Sequence, residues 1–174
     1  MSLAGRASLT FDTDTAVDAA RHTNRKNMKN ETLFENSFAS MQLPVERTVV
    51  AADGSDVRVL LALKGGSMAH FSLQAGQTSK AMTHRTVEEV WFVTEGAGEM
   101  WRQQGSDEET ISLTPGTCLS IPLGTHFQFR AAADQSVGAV CVTMPPWPAD
   151  PTADEAVPVA GKWATDSISR SIGD

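Results

Sequence analysis

The sequence predicts an all-β fold built as a single barrel with irregular arms at both ends. Three observations lead there. From Arg47 to Met144, short β-branched or aromatic runs alternate with turn residues every eight to twelve positions, the pattern of a sandwich or barrel. The chain of 174 residues, 41% of them hydrophobic, can bury one sizeable core but is short for two. No internal repeat is present, which excludes two fused barrels. The organisation expected is an N-terminal arm over 1–44, partly ordered, a barrel over 45–147 and a C-terminal tail over 148–174.

The N-terminal arm is polar and weakly patterned. Asp14-Thr15-Ala16-Val17-Asp18-Ala19-Ala20-Arg21 reads as a short helix capped by Asp14 or Thr15. The stretch from His22 to Asn30 has no apolar face. Leu33, Phe34, Phe38, Met41 and Leu43 are apolar enough to dock on the barrel or on a second subunit. Strands are then expected near 47–52, 56–64, 67–74, 79–84, 88–94, 97–102, 109–113, 117–122, 126–131 and 137–144. Asp53-Gly54, Gly65-Gly66, Ala75-Gly76, Glu95-Gly96, Gly105, Pro115-Gly116 and Leu123-Gly124 punctuate them, supplying the turn conformations other residues avoid. Pro145-Pro146-Trp147-Pro148 should end the sheet, because proline gives no ladder donor. Trp147 and Trp163 are expected to pin the tail across the barrel or onto a partner.

Two stretches carry a family resemblance. The first runs Gly76-Gln77-Thr78-Ser79-Lys80-Ala81-Met82-Thr83-His84-Arg85-Thr86-Val87-Glu88-Glu89 and closes at Gly96. The second is Gly116-Thr117-Cys118-Leu119-Ser120-Ile121-Pro122-Leu123-Gly124-Thr125-His126. Together they resemble the two signature motifs of the cupin superfamily, and the resemblance implies a single cupin-type β-barrel, or jelly roll. Many members hold a divalent metal with three His and one Glu. Residues two apart on a strand share a face, so a His-x-His pair delivers both rings to one pocket.

The ligand positions match only in part. The first His position holds Met82, and the second is His84. Glu89 is the better match for the acid, because Gly96 follows it at the family spacing. The third His position holds Phe127, and Ala131 stands where the motif has Asn. His126 is one residue early, and a shift of one residue reverses the face of a strand. A local bulge would return it to the pocket. His84, Glu89 and His126 would then form a set of two His and one carboxylate, a composition found in non-haem iron sites. Without the bulge, His84 and Glu89 alone would give a weak site, or a buried pair with no metal. The cofactor expectation is therefore none, or a weakly bound divalent Fe, Mn, Ni or Zn. Met82, Trp91, Val93, Phe127 and Phe129 would line an apolar pocket or simply fill the barrel. His70 shares a face with Met68 and Ser72; it could border the pocket, though an ordinary half-buried role fits it too. Arg85, beside the site, would be able to recruit an anion.

Other classes are set aside. A formal net charge of −7 opposes nucleic-acid binding. No apolar run spans a membrane and no secretion signal is visible, so a cytoplasmic location is expected. Cys118 and Cys141 read as two reduced core thiols. No phosphate loop, nucleophile elbow or Cys-x-x-Cys pair occurs. Three readings follow: a small-molecule-binding protein with an incomplete or absent metal site, a metal-dependent oxygenase or isomerase, and an oligomeric interaction subunit. A homodimer is expected, since an open barrel exposes strand edges.

Overall fold

The computed structural model describes residues 38–150 and 153–165. The helix expected at 14–21, together with Leu33 and Phe34, lies outside them. Eleven strands follow one another without a helix among the described residues: β1 (Val49–Val50), β2 (Asp56–Leu63), β3 (Gly66–Leu73), β4 (Met82–His84), β5 (Glu88–Gly96), β6 (Gly98–Gln104), β7 (Asp107–Leu113), β8 (Cys118–Ile121), β9 (His126–Ala131), β10 (Val137–Met144) and β11 (Ala156–Pro158). They form a six-stranded sheet in the order β1-β2-β3-β10-β5-β8 and a five-stranded sheet in the order β11-β4-β9-β6-β7, with antiparallel pairing throughout.

Side-chain alternation decides which faces meet. Along β5, Glu89, Trp91 and Val93 are buried, while Glu88, Val90 and Phe92 are exposed. Along β9, Phe127, Phe129 and Ala131 face the same core from the other sheet. The two sheets touch through the rings of Trp91 and Phe129, whose centroids lie 5.2 Å apart edge to face. Met82, Met100, Leu113, Ile121 and Cys141 complete the packed interior.

The turn at Gly96 shows why a glycine is needed there. Its φ is 75°, and a Cβ would sit 1.8 Å from the Ser136 carbonyl oxygen. Any side chain would force β5 and β10 apart at this point.

Three expectations need correcting. The sheet does not end at Met144, because β11 pairs with β4 through Ala156–His84 and Pro158–Met82. The expected strand at 79–84 shortens to Met82–His84; Ser79 instead donates its N–H to Phe129 O, and Lys80 donates to Asp53 O. Cys118 is exposed rather than in the core, whereas Cys141 is fully buried; both are free thiols.

The tail crosses the outer face of the five-stranded sheet. Gln128 reaches out from β9, donating to Ser79 O and Trp163 O and accepting from Trp163 N. Arg130 stacks on the Trp163 ring at 4.4 Å and pairs with Glu99. Trp163 is thus anchored within its own chain, and β11 covers the free edge of β4. Truncating Trp163 to Ala should loosen this strap at a cost of about 1–2 kcal/mol, from lost apolar burial and the cation–π contact. Hydrogen exchange at Val157 and Val159 would report it as faster protection loss than in the barrel strands.

Candidate functional site

His84 ends β4 and Glu89 lies near the start of β5. These strands are consecutive in the chain but belong to opposite sheets, so the short Arg85–Val87 link folds the two side chains toward each other across one end of the barrel. Both are buried, and His84 Nδ1 lies 3.7 Å from Glu89 Oε1. That is longer than a hydrogen bond, and His84 Nδ1 has no partner among the described residues.

Glu89 is held by other groups. Trp91 Nε1 donates to its Oε2 at 2.8 Å, and the Cys141 thiol beside it also favours its ionised form. Burial outweighs both and, with the negative Asp53 nearby, pushes the Glu89 pKa up to about 7. Burial acts in the opposite direction on His84, lowering its pKa to about 4 although the Glu155 carboxylate favours its charge. Both shifts favour the neutral form, as expected when an ionisable group loses water. The Cys141 thiol, raised by burial and by Glu89, stays protonated.

Aromatic rings enclose the imidazole. Phe127 stands edge-on at 5.1 Å between centroids and Trp147 at 5.3 Å. Trp147 comes from the proline-rich segment after β10 and is fixed by its N–H, which donates to Ser67 Oγ at 2.9 Å. Its ring stays partly open to solvent, at 42% exposure, so it covers His84 from the outside.

Glu155 is a residue the sequence did not single out. It accepts from Thr86 N at 2.7 Å, Thr86 Oγ1 at 2.8 Å and Val87 N at 3.0 Å. Burial opposes its charge, but these bonds and His84 hold its pKa below the ordinary value. It fixes the turn that carries His84 into the barrel. Beside it, Arg85 is occupied by Asp154 O and Oδ2 at 2.9 and 3.1 Å, which leaves the expected anion-recruiting role without support. An acidic residue in a tail carries no sequence signal for such a task.

The third candidate ligand does not join the pair. The β6–β9 ladder runs from Gln103–His126 to Gly98–Ala131 with no register shift, so the bulge needed to turn His126 inward is absent. His126 shares the outward parity of Gln128 and Arg130, while Phe127 takes the inward place and pairs with Met82. Among the described residues, no three His, Cys, Asp or Glu side chains converge on a point. The expected pocket residues Met82, Trp91, Val93, Phe127 and Phe129 lie together, each at most 4% exposed, and pack as core. His70 lies on the opposite face of its sheet: its partner Val140 alternates with Cys141, which points inward.

Residues 69–143 match the family model described as the cupin domain. That stretch is a cupin domain. No curated protein sequence matches the chain. Among solved structures, ectoine synthase from P. lautus is 22% identical over 77% of this chain and 98% of that one, with a TM-score of 0.56. The capsular polysaccharide assembling protein CapF from Staphylococcus aureus is 17% identical over 63% of this chain and 33% of that one, at 0.53. Oxalate decarboxylase from Lactobacillus farciminis is 14% identical over 60% and 31%, at 0.52. This cupin spans about a third of the length of the last two chains. At these identities the likeness is one of fold, and the fold is shared by proteins of different activity.

Metal binding is common among cupins, but the residues of this one do not fit that site. Two of the four ligand positions are Met82, at 1% exposure, and Phe127, at 4%. Their apolar side chains occupy the space where imidazoles would stand. A thioether suits soft ions, and phenyl is no donor for any. The remaining pair falls short of the three protein groups that such ions usually need.

Proposed function

We propose that this cupin binds a small organic molecule at the His84 end of its barrel, without a tightly held metal. The buried His84–Glu89 pair under Trp147 carries this reading. The buried His84 Nδ1 has no partner among the described residues, so a ligand group admitted beneath Trp147 would satisfy it. Glu89 with a pKa near 7 can donate from its protonated form or accept from its ionised form. Aromatic rings on two sides of His84 suit an apolar body. A neutral molecule with a hydroxyl or carbonyl matches this environment better than an ion, which would have to shed its water.

Native mass spectrometry of the full chain, as purified, tests this. The expected spectrum shows an organic adduct that disappears in His84→Ala, and elemental analysis gives clearly less than one divalent metal per chain. Near-stoichiometric Fe, Mn, Ni or Zn abolished by His84→Ala would overturn the proposal in favour of a metal-dependent enzyme. His126→Ala should leave both the metal content and the adduct unchanged.

A further inference from the structure

A concavity lies on the outer face of the six-stranded sheet, away from the barrel interior. It is a groove of about 290 Å³, at the small end of the range for ligand pockets. The register between β2 and β3 slips between Val59 and Ala62, which leaves Leu60 and Leu61 outside the ladder to form one wall. Leu43, Met68 and Val140 line the rest of the apolar part.

The polar end consists of His70 and Glu95. His70 is 2% exposed, and neither of its ring nitrogens has a hydrogen-bond partner among the described residues. Burying such a group unpaired is unfavourable and calls for a reason. Its Nε2 lies 3.8 Å from Glu95 Oε1, too far for a direct bond but close enough for one donor group to serve both. Gly138 forms the floor of this gap. A Cβ there would lie 2.7 Å from Glu95 Oε1 and 3.0 Å from His70 Nε2, so the absent side chain is what leaves room.

Charge selects the ligand. Glu95 pairs with no Lys or Arg among the described residues. The nearby Arg58 guanidinium is committed to Val45 O and Ser72 Oγ. Burial, helped by Arg58, lowers the His70 pKa although Glu95 favours its charge, so a neutral ring offers one nitrogen as acceptor. Two acceptors, one of them anionic, beside an apolar trough ask for a cation that only donates.

We propose that this groove binds a small primary amine with an apolar tail, its ammonium bridging His70 Nε2 and the Glu95 carboxylate and its tail lying along Leu43, Leu61, Met68 and Val140. The site is independent of the His84 reading and would survive its failure.

The test is a titration of the full chain with n-hexylamine hydrochloride at pH 7.5, followed by calorimetry and by backbone amide shifts. Saturable binding is expected, with shifts centred on Met68, His70, Glu95 and Val140. Glu95→Gln, at a side chain 64% exposed, removes the charge without disturbing the core. Gly138→Ala fills the gap and displaces the Glu95 head. Each should weaken binding by about tenfold or more, and hexanoate should not bind in the groove. Equal binding of hexanoate, undiminished affinity in Glu95→Gln, or shifts centred elsewhere would overturn the proposal. So would an absence of amine binding; if the chain were also a dimer that Met68→Asp dissociates, the groove would belong to a second copy.

Discussion

Replacing Glu89 by Gln should change the shape of the pH–stability profile. In the unfolded chain His84 and Glu89 titrate near their ordinary values of 6.5 and 4.5; in the fold they move to about 4 and about 7. A lowered histidine pKa means fewer protons bound in the folded state. Its contribution is complete above pH 6.5 and is lost as pH falls toward 4. A raised carboxyl pKa means more protons bound in the folded state. Its contribution is complete below pH 4.5 and is lost as pH rises toward 7. Between these limits the two slopes oppose each other and largely cancel. Glu89→Gln removes one of them, so stability should rise by about 3 kcal/mol relative to the parent profile from pH 4 to 7. His84→Gln should do the reverse, falling by about 3 kcal/mol relative to the parent over the same window. Asp53 and Glu155 also titrate in every variant; Glu155, whose pKa His84 helps to lower, shifts upward in His84→Gln and adds to that difference. Urea midpoints measured from pH 4 to 8 give these curves. Parallel profiles for parent and variants would mean that the two groups are not buried as described.

Glu155→Ala should be the most damaging change in the tail. It removes the acceptor for Thr86 N, Thr86 Oγ1 and Val87 N at once. Val87 is itself buried, so its N–H cannot turn to water without opening the turn. Losing charge-assisted bonds of this kind costs about 2–4 kcal/mol. Glu155→Gln keeps an acceptor and should cost clearly less. Beyond the change in midpoint, hydrogen exchange should speed up over Thr83–Val87 and Ala156–Val159 and stay slow in β6 and β9. Uniform acceleration across both sheets would count against a local strap.

The contrast between Glu89 and Glu155 shows what was legible in the sequence. Glu89 sits in an alternating strand, where parity alone assigns Trp91 and Val93 to its face, and glycine spacing sets the register. The inward places of Phe127 and Phe129 followed in the same way, because a strand without a bulge cannot mix its faces. The strand positions of the barrel were readable for this reason. Glu155 has no such periodicity around it. Its role depends on β11 finding the edge of β4, a pairing between segments far apart in the chain. The placement of Trp147 over His84 is likewise a long-range packing event that no local pattern encodes. The His70 groove was missed because it depends on Leu60 and Leu61 leaving the ladder at a register slip, and the alternation of β2 does not announce it. The exposure of Cys118 has a simpler cause. It opens β8, an edge strand whose first residue points outward opposite Phe92.

His84 is buried, its surroundings favour the neutral ring, and the proposed function leaves it without a metal. Long-range proton–nitrogen spectra of the imidazoles, recorded on the full chain as purified from pH 8 down to pH 4, test this directly. The predicted result is a His84 signal that remains that of a neutral ring until the pH approaches 4 and does not change on adding a chelator. A His84 ring that titrates near 6.5, or whose nitrogen shifts move when EDTA is added, would contradict it.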